Sequence, residues 1–217
     1  MVKLLTIEEN RIIYLFRMRR ESGQLYLPDV FKEIKERYFF MSAPQSVEEV
    51  AGDVQTFRIG KFQDGGITEL SLYPDGLVVT SQSTTEHLES FISDIIEWVQ
   101  DTFELRIVDE LPQSRTHKST LVVKFSSDPF ELGPRIGRVA EHLAGKLKAS
   151  FPLVREARIF GLSMEVPIST KAGDTVRLRL ERRAGSDPMQ LIFYSEAPLS
   201  VSDHVEILSE IEFDQAN

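Results

Sequence analysis

Between Thr56 and Gln82 the chain reads TFRIGKF, ITELSLY and LVVTSQ, three short runs rich in β-branched and aromatic residues, separated by Asp64-Gly65-Gly66 and by Pro74-Asp75-Gly76. Aspartate followed by glycine supplies the backbone turn that joins neighbouring antiparallel strands, and proline fixes the φ of a turn's second residue. The stretch therefore reads as an antiparallel meander, and the rest of the chain has to fold around a sheet of that kind.

On its N-terminal side RIIYLFRM (residues 11–18) has strand composition, and LPDVFKEIKERYFF carries Pro28 and Asp29 where the first turn of a helix accepts them. On its C-terminal side Ser83 with Glu86 forms a capping-box pattern. Leu88, Phe91, Ile92, Ile95 and Val99 follow at helical spacing. The order is β-α-β-β-β-α. A connector containing a short strand, ELRIVDEL, leads to STLVVKFS, a helix over 130–149, the strands EARIFGLSMEV, TVRLRLER and QLIFYSE, and a last helix opening at Ser200 with Asp203. That is the same order again. The seven residues STTEHLE (83–89) return as SVSDHVE (200–206), pairing His87 with His204, and LVVTSQ aligns with LIFYSE ahead of them.

The expected fold class is α+β: two βαβββα repeats about a pseudo-twofold axis, a largely antiparallel curved sheet, helices packed on one face and the other face open. The expected boundaries are 1–103 for the first repeat, 104–118 for the connector and 119–217 for the second repeat. In order of elements the chain resembles the TATA-box-binding-protein type of fold, although no motif of that family is present and no residues carry over. A parsing that starts at helix 28–39 resembles the small acidic chaperones of bacterial type III secretion.

Charge and composition narrow the chemistry. The net charge of −9 repels nucleic acid and anionic lipid from the molecule as a whole, but residues 118–183 hold 13 Lys and Arg against 7 Asp and Glu, while residues 1–103 hold 10 against 17. There is no cysteine, so disulfides, thiolate metal sites and cysteine nucleophiles are excluded. The first residues, MVKLLTIEENR, are too charged for a signal-peptide core, and no later run approaches the ~18 apolar residues of a membrane span. A soluble, cytoplasmic protein with no membrane partner is the expectation.

Catalytic and cofactor motifs fail one by one. AEHLAGKL (140–147) lacks the first glycine and the Ser or Thr of a phosphate-binding loop, and GLSME (161–165) lacks the second glycine of a nucleophile elbow. His117 and His142 stand without a second ligand at metal spacing. His87 and His204, each in a first helical turn, read best as boundary residues between apolar stripe and solvent, titrating near 6.5. No cofactor and no metal site is expected.

TVRLRLERRA is the informative stretch. Val176, Leu178 and Leu180 alternate with Arg177, Arg179 and Glu181, the period of a half-buried antiparallel strand with one basic face. Arg155, Arg158, Arg177, Arg179 and Arg183 are the candidate partner-binding residues, because a planar guanidinium bonds a carboxylate or phosphate in two places. The competing reading pairs these arginines with Glu156, Glu165 and Glu181. Helix 86–101 adds Ile96 and Trp98 to its apolar stripe, which then wants two neighbours: the sheet, and either the companion repeat or a second chain in a homo-oligomer.

The function this supports is a non-enzymatic binding protein, an adaptor or assembly subunit that docks a protein partner, possibly an acidic one, on an open sheet face. The first alternative is a nucleic-acid-binding protein using the local basic face. The second is an enzyme whose site assembles around the paired histidines.

Overall fold

The computed structural model describes residues 2–20, 25–45, 49–50, 52–108, 113–130, 138–139, 142–143, 145–146, 159–168 and 175–213. Among them ten strands and three helices form a sheet-dominated α+β fold. The strands are β1 (Lys3–Leu15), β2 (Met18–Arg20), β3 (Gln55–Phe62), β4 (Gly65–Tyr73), β5 (Gly76–Ser81), β6 (Leu105–Ile107), β7 (Ser114–Lys124), β8 (Gly161–Pro167), β9 (Thr175–Arg182) and β10 (Ile192–Ala197). The helices are α1 (Leu27–Arg37), α2 (Thr85–Phe103) and α3 (Val201–Phe213). Residues 138–139, 142–143 and 145–146 are also helical; of the rest of the expected helix 130–149, Phe130 lies in a turn and the others lie outside the described residues. No helix among the described residues is long and apolar enough to cross a membrane.

The chain forms two compact units. The larger gathers Ile7–Thr120 and Pro198–Ser202, the smaller Met1–Thr6, Leu121–Ala197 and Asp203–Asn217, so β1, β7 and α3 each contribute residues to both. In the larger unit the strands run in the order β3-β4-β5-β1-β7, with β2 and β6 pairing separately; in the smaller they run β7-β10-β9-β8. The meander β3-β4-β5 is antiparallel, as its turns demand, and β1 returns antiparallel along β5 with Ile12 opposite Val79.

Alternation sorts the larger unit's strands into two faces. Ile12, Phe57, Leu70 and Val79 are fully buried against Val30, Phe31 and Ile34 of α1 and Leu88, Phe91, Ile92 and Ile95 of α2. Burial of one apolar side chain of this size contributes roughly 1.5–3 kcal/mol, so this layer dominates the unit's stability.

Two local chemistries differ from the sequence reading. The cap of α2 is Thr84, whose side chain accepts from the His87 backbone N–H at 3.4 Å. Ser83 instead ties the helix start to the sheet, through its carbonyl to Asn10 Nδ2 (3.0 Å) and its N–H to Ser81 Oγ (3.0 Å). Helix α1 stops at Arg37 because the chain turns back at once: Lys61 N–H donates to the Tyr38 carbonyl (2.7 Å) and Met41 N–H to the Ile59 carbonyl (3.1 Å), covering the edge of β3.

The two strand-then-helix segments β5–α2 and β10–α3 repeat at a spacing of 116 residues, from 76 to 192 and from 85 to 201. At that spacing Leu77, Val79, Ser81, Thr85, Leu88 and Ile92 match Phe193, Ser195, Ala197, Val201, His204 and Leu208, and all twelve are buried. The echo of STTEHLE in SVSDHVE has a spacing of 117 and is therefore one residue out of phase with burial. In burial phase His204 falls at the position of Leu88, one residue from that of His87.

Candidate binding site

The arginines of the smaller unit stand where period two puts them. Antiparallel register sets Arg177 opposite Glu165 and Arg179 opposite Ser163 on β8, with Glu196 of β10 on its other side. Arg177 Nη2 lies 2.5 Å from Glu165 Oε1, and Arg179 Nη2 lies 2.6 Å from Glu181 Oε1 two residues along the strand. Both guanidinium groups are more than half exposed. Arg183 is exposed just beyond β9, its backbone N–H donating to the Ile192 carbonyl. Arg155 and Arg158 lie outside the described residues.

Arg182, one position from Arg183, has a different role. Its side chain is 14 % exposed, bonded through Nε to the Ile159 carbonyl (3.2 Å), paired with Asp128, and stacked 5.5 and 5.2 Å from the rings of Phe130 and Phe193. It is an anchor of the core edge. Pattern alone did not separate it from its neighbours, since its partner Asp128 is distant in sequence.

The larger unit has an equivalent open face with the same pairing. Arg58 meets Glu69 directly across β3–β4 at 3.1 Å, Arg11 meets Glu9 at 3.4 Å, and Lys118 reaches Glu9 at 4.0 Å. The Thr56 and Ser71 hydroxyls lie 3.3 Å apart on the same face. Arg11, Arg58, Arg177 and Arg179 thus each have a carboxylate within 3.4 Å. Such faces present mixed, locally neutral polarity, and a polyanion would have to break each pair before gaining its own contact.

The histidines are not boundary residues alike. His204 is fully buried, and its Nε2 lies 2.8 Å from Ser195 Oγ. The Ser195 hydroxyl donates to the Arg179 carbonyl at 2.9 Å, so its single hydrogen is committed and the imidazole Nε2 carries the donated proton. A general base needs the opposite polarity, and both groups are sealed from substrate. Burial lowers the His204 pKa to about 4, which corrects the expectation of ordinary titration. His87 instead packs its ring against Phe62 (centroids 5.6 Å), and a Cβ on Gly65 would fall 2.4 Å from its Nε2. His117 Nε2 lies 3.1 Å from Glu89 Oε1, which also pairs with Arg115. Among the described residues no group of three or more His, Asp or Glu could hold a metal ion.

The broad stripe of α2 resolves within the larger unit. Trp98 packs under the Arg37 guanidinium (5.2 Å) and edge-on to Tyr38 (6.2 Å) and Phe103 (5.5 Å). Arg37 and the Tyr38 hydroxyl both bond Asp94, at 3.1 and 2.6 Å. Burial, then the Asp94 bond, push the Tyr38 phenol well above its usual range. Ile95, Ile96 and Val99 line a cavity of about 450 Å³ whose other walls are Val30, Phe31 and Ile34 of α1, Leu72 and Leu77 of the meander, and Met18 and Leu105 of the β2–β6 ribbon. This space between helix layer and sheet has no sequence signature, because each lining residue reads as ordinary core.

No protein-family model matches the chain, and no curated protein does. Among solved structures the chain is similar to one described as Methanococcus jannaschii TBP, at 10% identity and a TM-score of 0.45, over 97% of this chain and 95% of that chain.

Proposed function

We propose that the protein is a non-enzymatic binding module, an adaptor or assembly subunit, that docks a protein partner on the open face of β8–β9–β10 around Arg177, Arg179 and Arg183. The observation that carries this reading is the pairing of Arg177 with Glu165 and of Arg179 with Glu181 on an exposed sheet face. Charges of both signs at fixed spacing specify register with a partner of complementary pattern, whereas a phosphate backbone is best served by arginines that stand unpaired. The partner's matching surface carries carboxylates for the arginine forks and cations for Glu165 and Glu181.

The matched burial phase of β5–α2 and β10–α3 supports descent of the two segments from one duplicated βαβββα unit, with repeats over 1–103 and 119–217 joined by 104–118. On that reading the second copy's open face, in the basic part of the chain, acquired the partner.

The experiment is an affinity pull-down from the native cell with the wild type and with Arg177→Ala/Arg179→Ala, alongside oligonucleotide binding over a salt series. The double variant is expected to lose its protein partner at unchanged melting temperature, with no salt-dependent oligonucleotide binding. Oligonucleotide affinity falling steeply with salt, with a slope reduced by about one unit per arginine removed, would replace this reading with the nucleic-acid one.

A further inference from the structure

The cavity of the larger unit stands apart from the sheet face, and its chemistry names a different ligand. We infer that it is a binding site for the hydrocarbon chain of a neutral small molecule, an acyl or alkyl chain with an uncharged polar end.

Its volume of about 450 Å³ falls within the ~300–1,000 Å³ of small-molecule sites. Its position selects a chain over a protein segment. The walls come from both layers, Ile34 and Val99 from the helices and Leu72 and Leu77 from the sheet, so the space is interlayer, and about 450 Å³ is no more than roughly one turn of a helix 10–12 Å across. Among the described lining residues the polar side chains are Gln55, whose Nε2 is already bonded to the Gly52 carbonyl, and Tyr73 at the rim. A water cluster needs two to four polar partners per molecule, which this mostly apolar lining supplies only sparsely.

Charge selects the end group. Among the described residues no ionisable side chain of opposite sign to a carboxylate lines the cavity. Alternation along the ribbon turns Met18 and Leu105 inward while Arg19 and Arg106, opposite each other in register, are exposed. Leu27 and Tyr73, about 40 % exposed, mark the rim, where Asp53 and Asp75 are the sequence neighbours of the lining residues Gly52 and Pro74. No cation stands among the described lining residues to meet an anion, whereas the Tyr73 hydroxyl suits an alcohol or ester. The protein's own chain adjoining Leu25 reads ESGQ over 21–24 and has no apolar side chain to offer.

Calorimetric titration of the full chain with decanol and with decanoic acid tests this, using wild type and two variants that build bulk into the space from half-buried lining positions, Val99→Phe and Leu72→Phe. Expected are saturable one-to-one binding of decanol, no tighter binding of decanoate, and roughly tenfold or greater weakening in either variant with the melting temperature retained. Should one variant misfold, the other and the methyl NMR shifts of Ile34, Leu77 and Ile95 on adding decanol to wild type carry the test. Absence of saturable decanol binding, equal affinity in a folded filled variant, or shifts scattered over surface methyls would overturn the inference. Decanoate binding tighter than decanol would overturn the neutral end group.

Discussion

His204 donates from Nε2 to the Ser195 hydroxyl across 2.8 Å, and the two occupy burial positions that Leu88 and Val79 fill in the other strand-and-helix segment. A polar pair stands inside this core where the other segment buries an apolar one, and the pH behaviour follows. The folded His204 pKa is about 4 and the unfolded value about 6.5, so between them the unfolded chain binds the extra proton. Stability contributed by the neutral imidazole is complete above pH 6.5 and is lost as pH falls toward 4, on the order of 2–4 kcal/mol in all. Urea midpoints from pH 7.5 to 4 should fall with that sign, and His204→Leu should flatten the His204 part of the slope.

The same pair supports a double-mutant cycle. Ser195→Val alone strands a buried imidazole donor and should cost about 1–3 kcal/mol, whereas Ser195→Val with His204→Leu restores the Val79 and Leu88 chemistry and should recover most of the loss. A double variant no more stable than Ser195→Val would show that the site does not accept the apolar pair.

How much of this was legible from the sequence follows from range. The meander, the α1 and α2 helices and the alternation of β9 are local patterns, and they appear within one to three residues of where turn chemistry and periodicity set them. The Ser195–His204 pair spans two elements, and the identities shared by STTEHLE and SVSDHVE run at a spacing of 117 whereas the burial pattern runs at 116. The cavity was invisible because a residue facing a space and a residue facing a neighbour are both simply apolar.

Gly76 and Gly66 should respond to alanine very differently in size. At Gly76, with φ 156°, a Cβ would lie 2.2 Å from the Tyr14 carbonyl oxygen, a backbone atom of the paired strand that cannot swing away. At Gly66 the nearest atom is 4.0 Å off. Thermal melts should show Gly76→Ala losing more than ~2 kcal/mol and Gly66→Ala less than ~0.5 kcal/mol.

The Asp94 carboxylate holds two donors, Arg37 and the almost fully buried Tyr38. Tyr38→Phe removes one bond and should cost about 1 kcal/mol, while Asp94→Ala leaves the phenol without this acceptor and should cost about 1–3 kcal/mol. Chemical denaturation of the two variants compares them directly.

The smaller unit draws on Met1–Thr6 as well as on residues beyond Leu121, and this sets an order in time. During synthesis at ~5–20 residues per second, the first residues of β1 emerge roughly ten seconds before Leu121 exists. The larger unit, nearly continuous in sequence, can begin to condense before the smaller one, which waits for α3. Cutting the chain in the middle therefore yields no fragment that holds all of the smaller unit, and a protease that trims the first six residues acts on a unit made mostly of the second half.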